Sequence, residues 1–258
     1  MFKLLMTCEH GGNQIPENLK HILKIPDNIL NSHEGLDIGA LDLAKYLVKY
    51  FESCDFVSPL VGADLFVRRA GQGEIPFFYS EISRLVIELN RSLHHPKLFS
   101  RFSKKYLSPE NKINLMTDFY KPYRAQIENK ISDLIKKNNL VIHLSIHSFT
   151  PVLNNKKRDL DIGLLYDPQN LLEKKFCKIW QGELEKLNFK TRKNYPYRGN
   201  SDGLTSYLRK QFKNNYLGIE LETNQALWHG SSPQAQENLF EQIAQSIQAS
   251  IQISLSKI

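Results

Sequence analysis

Short apolar runs alternate along the chain with segments of helical periodicity, and this alternation constrains the fold more than any other feature. Residues 3–8 form an apolar run that ends at Glu9, and the β-branched stretch 140–146 leads directly to His147. Both runs are typical of buried strands. Residues 34–51 instead carry apolar side chains at helical spacing. Strands that alternate with helices predict an α/β protein whose central sheet has helices on both faces.

The same criteria predict further strands near residues 56–61, 85–89, 161–166 and 216–221, and helices over residues 117–137, 171–186 and 233–255. Residues 199–212 are expected to hold a turn and a short helix. Glycine and proline in residues 68–82 favour a mobile loop or flap. No internal repeat or Pro/Gly/Ser-rich linker divides the chain, so a single three-layer domain over residues 1–258 is predicted.

Composition excludes several classes of function. The net charge of +7 at pH 7 favours anionic partners or a lysine-rich surface, but no stretch interleaves basic clusters with aromatic residues as nucleic-acid grooves do. The three cysteines form no CxxC pair, which argues against a disulfide framework. The N-terminal apolar run is too short for a signal-peptide core, and no run reaches spanning length. We therefore expect a cytoplasmic protein without a nucleic-acid or membrane partner; the sequence does not indicate its oligomeric state.

Polar residues stand where the predicted strands end. His10, the pair Asn90–Arg91, His147 and Glu220 each follow or interrupt an apolar run. In open α/β sheets, ligands bind beyond the carboxyl ends of the strands. These side chains are therefore expected to converge on one cleft.

Two histidines at equivalent strand ends favour a metal site. A single histidine is usually a packed imidazole, but a zinc hydrolase needs three His, Asp or Glu ligands and an open position for water. We predict His10 and His147 as ligands of one zinc ion, with manganese or iron as alternatives. Asp37 is the preferred third ligand, because residues 33 and 37 share one face of the predicted helix. The rival third ligands are Glu9, Glu34 and His33.

A general base is sought among the carboxylates of the last predicted strand. Glu220 stands between Ile219 and Leu221, where burial raises the pKa of a carboxyl group and suits it to proton transfer. The alternative is that Glu220 and Glu222 both face solvent from an edge strand. The role of Glu222 is left open.

Arginine side chains flank the predicted strand at residues 85–89. The guanidinium groups of Arg84 and Arg91 match a carboxylate with two parallel hydrogen bonds, and Asn90 can both donate and accept. The alternative is a structural ion pair. The Asn90–Arg91 pair is the more suggestive of substrate binding.

Seven segments together resemble one protein family. In chain order they are TCEHGGNQIP, HEGLDIGA, SRLVIELNRS, HLSIHSFTP, DIGLLYDP, NYPYRGNSDGLTSYLR and YLGIELETNQ. They extend over about residues 4–225 and look like the N-formylglutamate amidohydrolase family. The resemblance implies a phosphorylase/hydrolase-like α/β fold with a mixed central sheet, similar to that of zinc carboxypeptidases and aspartoacylases. It also implies hydrolysis of N-formylglutamate, or of another small anionic N-acyl amino acid, to a carboxylate and an amine.

The resemblance also implies roles for individual residues. His10 and His147 would bind zinc, Glu220 would be the base, and Asn90–Arg91 would grip the substrate carboxylate during catalysis, with Arg84 as a second anion contact. Two positions depart from the carboxypeptidase pattern. The third residue after His10 is Asn13, so the HxxE motif is absent, and Glu222 stands where those enzymes have an arginine. A non-catalytic protein that binds a small anion on the same fold is the alternative.

Overall fold

The computed structural model describes residues 2–53, 75–228 and 230–256. Its central sheet consists of β1 (Phe2–Cys8), β2 (Phe77–Tyr79), β3 (Leu140–Phe149), β6 (Ile162–Leu165), β7 (Thr191–Lys193) and β8 (Tyr216–Asn224), in the order β2-β1-β3-β8-β6-β7. Strands β4 (Val152–Leu153) and β5 (Lys156–Lys157) form a separate antiparallel hairpin. Within the sheet only the β6–β8 pair is antiparallel. The predicted mixed sheet is confirmed.

Helices cover both faces of this sheet. The α-helices of the described residues are α1 (Asp27–Leu30), α2 (Ala40–Ser53), α3 (Arg101–Tyr106), α4 (Pro109–Leu115), α5 (Lys121–Lys136), α6 (Leu171–Lys186), α7 (Leu204–Gln211) and α8 (Pro233–Leu255). Helices α2, α6 and α8 pack on one face around the fully buried Trp180. Helices α5 and α7 pack on the other face through Ile127 and Leu208. The three-layer α/β architecture predicted from the sequence is therefore confirmed.

The alternation of side chains along β3 determines where polar groups lie. Ile142, Leu144 and Ile146 belong to the core on the α2 side of the sheet. Because successive side chains of a strand point to opposite faces, His143 and His147 lie on the other face. Both are buried. A strand whose sequence alternates in this way delivers a row of polar side chains to one face.

Side-chain caps fix the starts of the two long helices that the sequence located best. The Asn170 side chain accepts from the N–H groups of Leu172 and Glu173 at the start of α6. Ser232 accepts from the N–H of Ala235 at the start of α8. Such caps stabilise a helix by about 1 kcal/mol each. They explain why the predicted boundaries 171–186 and 233–255 agree with the structure.

Two predicted elements were wrong. Helix α2 begins at Ala40 rather than near residue 34, so residues 33 and 37 do not share a helical face. Residues 85–89 form no strand; their backbone makes turn-like bonds such as Val86 N–H to the Ser83 carbonyl. This segment is buried in its own apolar cluster beside α3 and α4. A short apolar run signals burial, and periodicity alone does not distinguish a strand from a packed turn.

Some predictions fall outside the described residues. The strand predicted near residues 56–61 lies outside the described residues, and so does the first part of the predicted loop, residues 68–74. The second part of that loop contains β2. No helix in the described ranges combines the length and the apolar character needed to cross a bilayer.

Candidate functional site

Buried polar side chains meet at the carboxyl end of the sheet. His10 follows β1, His147 lies near the end of β3, and the strand register pairs His147 with Glu222 of β8. Asp37 lies in the turn before α2, and its N–H donates to the carbonyl of His10. The sequence prediction that His10 and His147 converge is confirmed, since their ring centroids are 5.0 Å apart.

Asp37 lies between the two imidazole rings. Its Oδ2 atom is 3.1 Å from Nδ1 of His10 and 2.8 Å from Nδ1 of His147. All three side chains are buried. The two Nδ1 atoms and Oδ2 therefore face a common point, and one ligand atom from each residue lies within 4.8 Å of the others.

The outer nitrogen of each imidazole contacts a second buried carboxylate. Nε2 of His10 is hydrogen-bonded to Oε1 of Glu88, and Nε2 of His147 lies 3.1 Å from Oε2 of Glu9. With a metal ion on Nδ1, a carboxylate on Nε2 would hold the single ring proton there and leave the Nδ1 lone pair to the ion. This arrangement is the usual outer contact of a metal-binding histidine.

Arg84 closes a ring of contacts on the His10 side. Its Nη1 donates to Oδ1 of Asp37 at 3.1 Å, and its Nη2 donates to Oε2 of Glu88 at 2.8 Å. Asp37 and Glu88 each use their other oxygen for His10. Four residues thus form a closed cycle, in which Arg84 is bound to protein carboxylates rather than lying free for a substrate anion.

The donor set fits a divalent metal ion. In a tetrahedral site with ligands about 2.0–2.1 Å from zinc, neighbouring ligand atoms lie about 3.3 Å apart. The 3.1 Å and 2.8 Å separations of Asp37 Oδ2 from His10 and His147 are close to this value. Two imidazole nitrogens and one carboxylate oxygen are a ligand set that zinc accepts, although manganese and iron use the same donors.

The charges of the cluster are strongly coupled. Burial opposes the ionised forms, but Asp37 and Glu9 outweigh it and raise the pKa of His147 well above its usual value. In return His10, His147 and Arg84 hold the pKa of Asp37 well below its usual range despite burial. Asp37 therefore remains a carboxylate at neutral pH, as a metal ligand must.

Glu9 also stays ionised. Burial would raise its pKa, but hydrogen bonds to His147, Thr7 and Ser145 lower it to about 2. Ser145 donates to its Oε2 atom at 2.7 Å, and the hydroxyl of Tyr123 donates to Oε1 at 3.1 Å. Glu9 is thus an acceptor fixed by several donors. It contacts the outer nitrogen of His147 rather than the side that faces Asp37.

The other rivals for third ligand lie apart from the cluster. His33 is exposed. Glu34 forms an ion pair with Arg101, whose Nη1 lies 2.6 Å from its Oε2. Asp37 is the acidic residue that groups with the two histidines among the residues the structure describes.

Two carboxylates of β8 face the site from different levels. Glu220 is paired in register with Ser145, and its Oε1 accepts from the Thr205 hydroxyl at 2.7 Å. Glu222 is buried, and its Oε2 has no hydrogen-bond partner among the described residues. Burial, reinforced by Asp37 and Glu220, raises the pKa of Glu222 to about 8 although His147 and His10 oppose the shift.

Asn90 and Arg91 lie at the site without being part of a strand. The Asn90 amide nitrogen is 3.5 Å from Nε2 of His147, and its Oδ1 accepts from the N–H of Leu204. The Arg91 guanidinium donates to the Asp202 carbonyl at 2.6 Å. Arg124 fixes this segment by donating to the backbone carbonyl of Arg91. The Asn90 side chain thus contacts a residue of the buried cluster, whereas the Arg91 guanidinium bonds Asp202, and a buried turn rather than a strand end carries both residues.

Three further residues at the site escaped the sequence analysis as separate candidates. Glu88 lies inside the quoted segment SRLVIELNRS, four residues after Arg84, and a carboxylate at this spacing was a usable signal. Tyr197 and Arg158 lie on irregular segments, where no periodicity marks them. Burial raises the pKa of Tyr197, and among the groups that act on it are Glu222, Arg158 and Asp37.

Comparisons with known proteins identify the family and support the fold. Residues 2–229 match the family model of N-formylglutamate amidohydrolase. The gene product Atu2144 of Agrobacterium tumefaciens has a similar structure, with a TM-score of 0.77 and 21% identity over 97% of this chain and 90% of that one. The N-formylglutamate amidohydrolase of Ralstonia eutropha JMP134 gives a TM-score of 0.67 and 13% identity over 98% and 94%. Identities this low support the fold alone, and no functionally curated protein matches significantly.

Proposed function

Because this chain belongs to the N-formylglutamate amidohydrolase family, we propose that it hydrolyses the amide of N-formylglutamate to formate and glutamate. The observation that carries the proposal is the buried group of His10, Asp37 and His147, with ligand atoms within 4.8 Å of one another. Water adds to the formyl carbon, the carbon–nitrogen bond breaks, and the amine leaves with a proton. Family membership supports an enzyme that hydrolyses an amide; the substrate and the residues below are our proposal.

Nδ1 of His10, Nδ1 of His147 and Oδ2 of Asp37 would hold one divalent ion, and we propose zinc. When bound, such an ion polarises the amide carbonyl and acidifies the attacking water. The protein's own part is to keep these three atoms in place. Glu88 and Glu9 do so by holding the outer imidazole nitrogens.

Proton transfer is assigned to Glu222. In its ionised form, which a divalent cation bound nearby would favour, Glu222 would take a proton from the attacking water and deliver it to the leaving nitrogen. Its position beside His147 in the strand register, its burial and its unpartnered Oε2 support this role. Glu220, which the sequence favoured, already accepts from Thr205 and remains the alternative base.

Substrate binding is assigned to Asn90 and Arg91. Both are partly exposed, whereas His10, Asp37 and His147 are buried. Arg91 can use its remaining N–H groups for the carboxylate next to the scissile amide, which fixes the formyl group for attack. For Arg84, predicted as a further anion contact, the ion pairs to Asp37 and Glu88 favour a positioning role.

Formate release tests the proposal directly. Protein stripped with a chelator and reloaded with one equivalent of zinc is mixed with N-formylglutamate, and formate and glutamate are measured separately. We expect equal amounts of both products, and none from chelated protein. Tight binding of N-formylglutamate without turnover would instead support the non-catalytic anion-binding alternative.

A further inference from the structure

Arg158 is a buried cation whose chemistry the proposed mechanism does not use. It follows β5 and is only 8% exposed. Its backbone is fixed, since its N–H donates to the Pro151 carbonyl at 2.8 Å and its carbonyl accepts from the N–H of Leu160 at 3.1 Å. Its guanidinium makes a long 3.4 Å contact to the Thr150 carbonyl. Among the described residues, no carboxylate forms an ion pair with it.

Such a group is unusual in a folded protein. A guanidinium does not lose its proton at physiological pH, and burying a charge is costly unless a partner compensates it. Two aromatic rings lie near Arg158: the Phe149 centroid at 5.7 Å and the Tyr197 centroid at 5.2 Å. Ring faces attract the cation but accept few of its five N–H bonds. The remaining donors are suited to an anion that arrives with a ligand.

Arg158 lies beside the site rather than elsewhere on the protein. Phe149 is two residues beyond His147 on β3, so the two side chains share one face of the sheet. The Tyr197 ring centroid is 5.2 Å from the Arg158 guanidinium, and the charges of Glu222 and Asp37 act on the Tyr197 hydroxyl. Burial and the charge of Glu222 raise the pKa of Tyr197, whereas the positive charge of Arg158 lowers it.

The loop that carries Tyr197 packs closely against β6. A Cβ atom at Gly163 would lie 2.2 Å from the Tyr195 carbonyl oxygen and 3.3 Å from Cβ of Glu222. The glycine therefore permits the loop to pass directly beside Glu222. Tyr197 is 45% exposed, so it forms a wall that a ligand can reach.

We propose that Arg158 and the hydroxyl of Tyr197 bind a second carboxylate, that of the substrate's side chain. Asn90 and Arg91 would bind the carboxylate next to the amide. These two carboxylate-binding groups lie at different positions along the strands. Asn90 lies near Glu220, which is paired in register with Ser145 of β3. Arg158 lies beside Phe149, four residues further along the same strand. This inference rests on the proposed function and deepens it, since two separate cations select N-acyl derivatives of acidic amino acids over neutral ones.

The test compares two substrates that differ in one charge. N-formylglutamate and N-formylglutamine have nearly the same shape, but only the first has a side-chain carboxylate. We expect Arg158→Met to lower kcat/KM for N-formylglutamate about 10- to 100-fold, the range for one charge-assisted pair. The value for N-formylglutamine should change by no more than about twofold. The matched control is Arg192→Met, because Arg192 also stacks on a tyrosine, Tyr195 at 5.3 Å, but is exposed.

Two outcomes overturn the inference while the proposed function stands: an equal loss on both substrates, or no loss on either. Wild-type protein that hydrolyses neither substrate would contradict the proposed function instead. Calorimetric binding of glutarate and butyrate then still tests the subsite, since Arg158→Met should weaken glutarate alone. If Arg158→Met melts at a much lower temperature than wild type, Arg158→Lys replaces it. That variant keeps the charge without the guanidinium fork, and should retain part of the preference for the acidic substrate.

Discussion

His147 and Glu222 lie side by side on neighbouring parallel strands, as partners in the register of β3 and β8. Both are buried. Glu220 is two register positions earlier, beside Ser145, and its carboxylate already accepts a hydrogen bond from Thr205. Of the two carboxylates on β8, Glu222 is therefore the one level with the imidazole proposed to bind the metal.

Changing each of the two β8 carboxylates to its amide should have very different effects on kcat. Glu222→Gln is expected to lower kcat about 10²- to 10⁴-fold, the usual contribution of a general base, while zinc affinity changes little. Glu220→Gln keeps an acceptor for Thr205 and should retain most of the wild-type kcat. Steady-state formate release and zinc titration measure both quantities. The reverse ranking of the two variants would make Glu220 the base.

Glu88 is expected to set the metal affinity through His10. Glu88→Gln removes the negative charge that holds the outer imidazole proton, and it places an amide where Glu88 now accepts from Arg84. We expect the affinity for zinc to fall about 10- to 100-fold, as found for outer partners of metal-binding histidines. Competition with a chelating dye measures this change.

A second buried Arg–Glu pair supplies the control for Glu88. Glu173 is fully buried and pairs with Arg209, whose Nε lies 2.9 Å from its Oε1, away from the three proposed ligands. Glu173→Gln should lower the free energy of unfolding but leave zinc affinity unchanged. Equal effects of the two variants on zinc affinity would mean that Glu88 acts only through general stability.

Arg91→Lys should separate binding from chemistry. Lysine keeps the charge but does not supply two parallel hydrogen bonds to a carboxylate. We expect KM for N-formylglutamate to rise about 10-fold with a smaller change in kcat. A KM equal to that of wild type would remove Arg91 from the substrate site.

His143 should make the stability of the metal-free protein sensitive to acid. Burial, supported by Arg209 and His147, lowers its pKa to about 4 although Glu9 opposes the shift. The unfolded chain binds this proton near pH 6.5, but the folded protein does not until about pH 4. The contribution of His143 to stability is therefore complete above pH 6.5 and is lost as pH falls toward 4, by up to about 3 kcal/mol.

The substitution His143→Gln tests this pH dependence. Glutamine can still bond the hydroxyls of Thr7 and Tyr216, which now contact the two ring nitrogens, but it does not titrate. Denaturant unfolding in the presence of a chelator should show a smaller loss of stability between pH 7 and 4 than in wild type. The same loss in both proteins would mean that His143 takes up its proton in the folded state.

Much of the fold was predictable because strands and helices of this chain carry clear periodicities. Helices α6 and α8 agree with their predicted ranges, and β3 begins at the predicted Leu140 but continues past residue 146 to Phe149, so that His147 lies within it. The failure at residues 85–89 has a physical cause. Leu85, Val86 and Ile87 are buried by α3 and α4 in a cluster of their own, and burial without sheet pairing has no signature in a short apolar run.

The site was predictable only where a strand carries the residue. His10 and His147 could be located from strand ends, whereas Asp37 was selected from a helical face that does not exist. Its position comes from its backbone bond to His10 and its ion pair with Arg84, both of which depend on tertiary structure. Similarly, the level of Glu222 relative to His147 depends on strand register, which no local pattern reveals.

The central claim is that His10, Asp37 and His147 hold one divalent ion, and calorimetric titration of zinc into chelator-stripped protein tests it most directly. Wild type should bind one ion per chain, and so should His33→Ala, which removes an exposed histidine near Asp37 in the sequence. His147→Ala should lose this binding while remaining folded. A wild-type protein that binds no zinc, or a His147→Ala variant that binds zinc as tightly as wild type, would contradict the account.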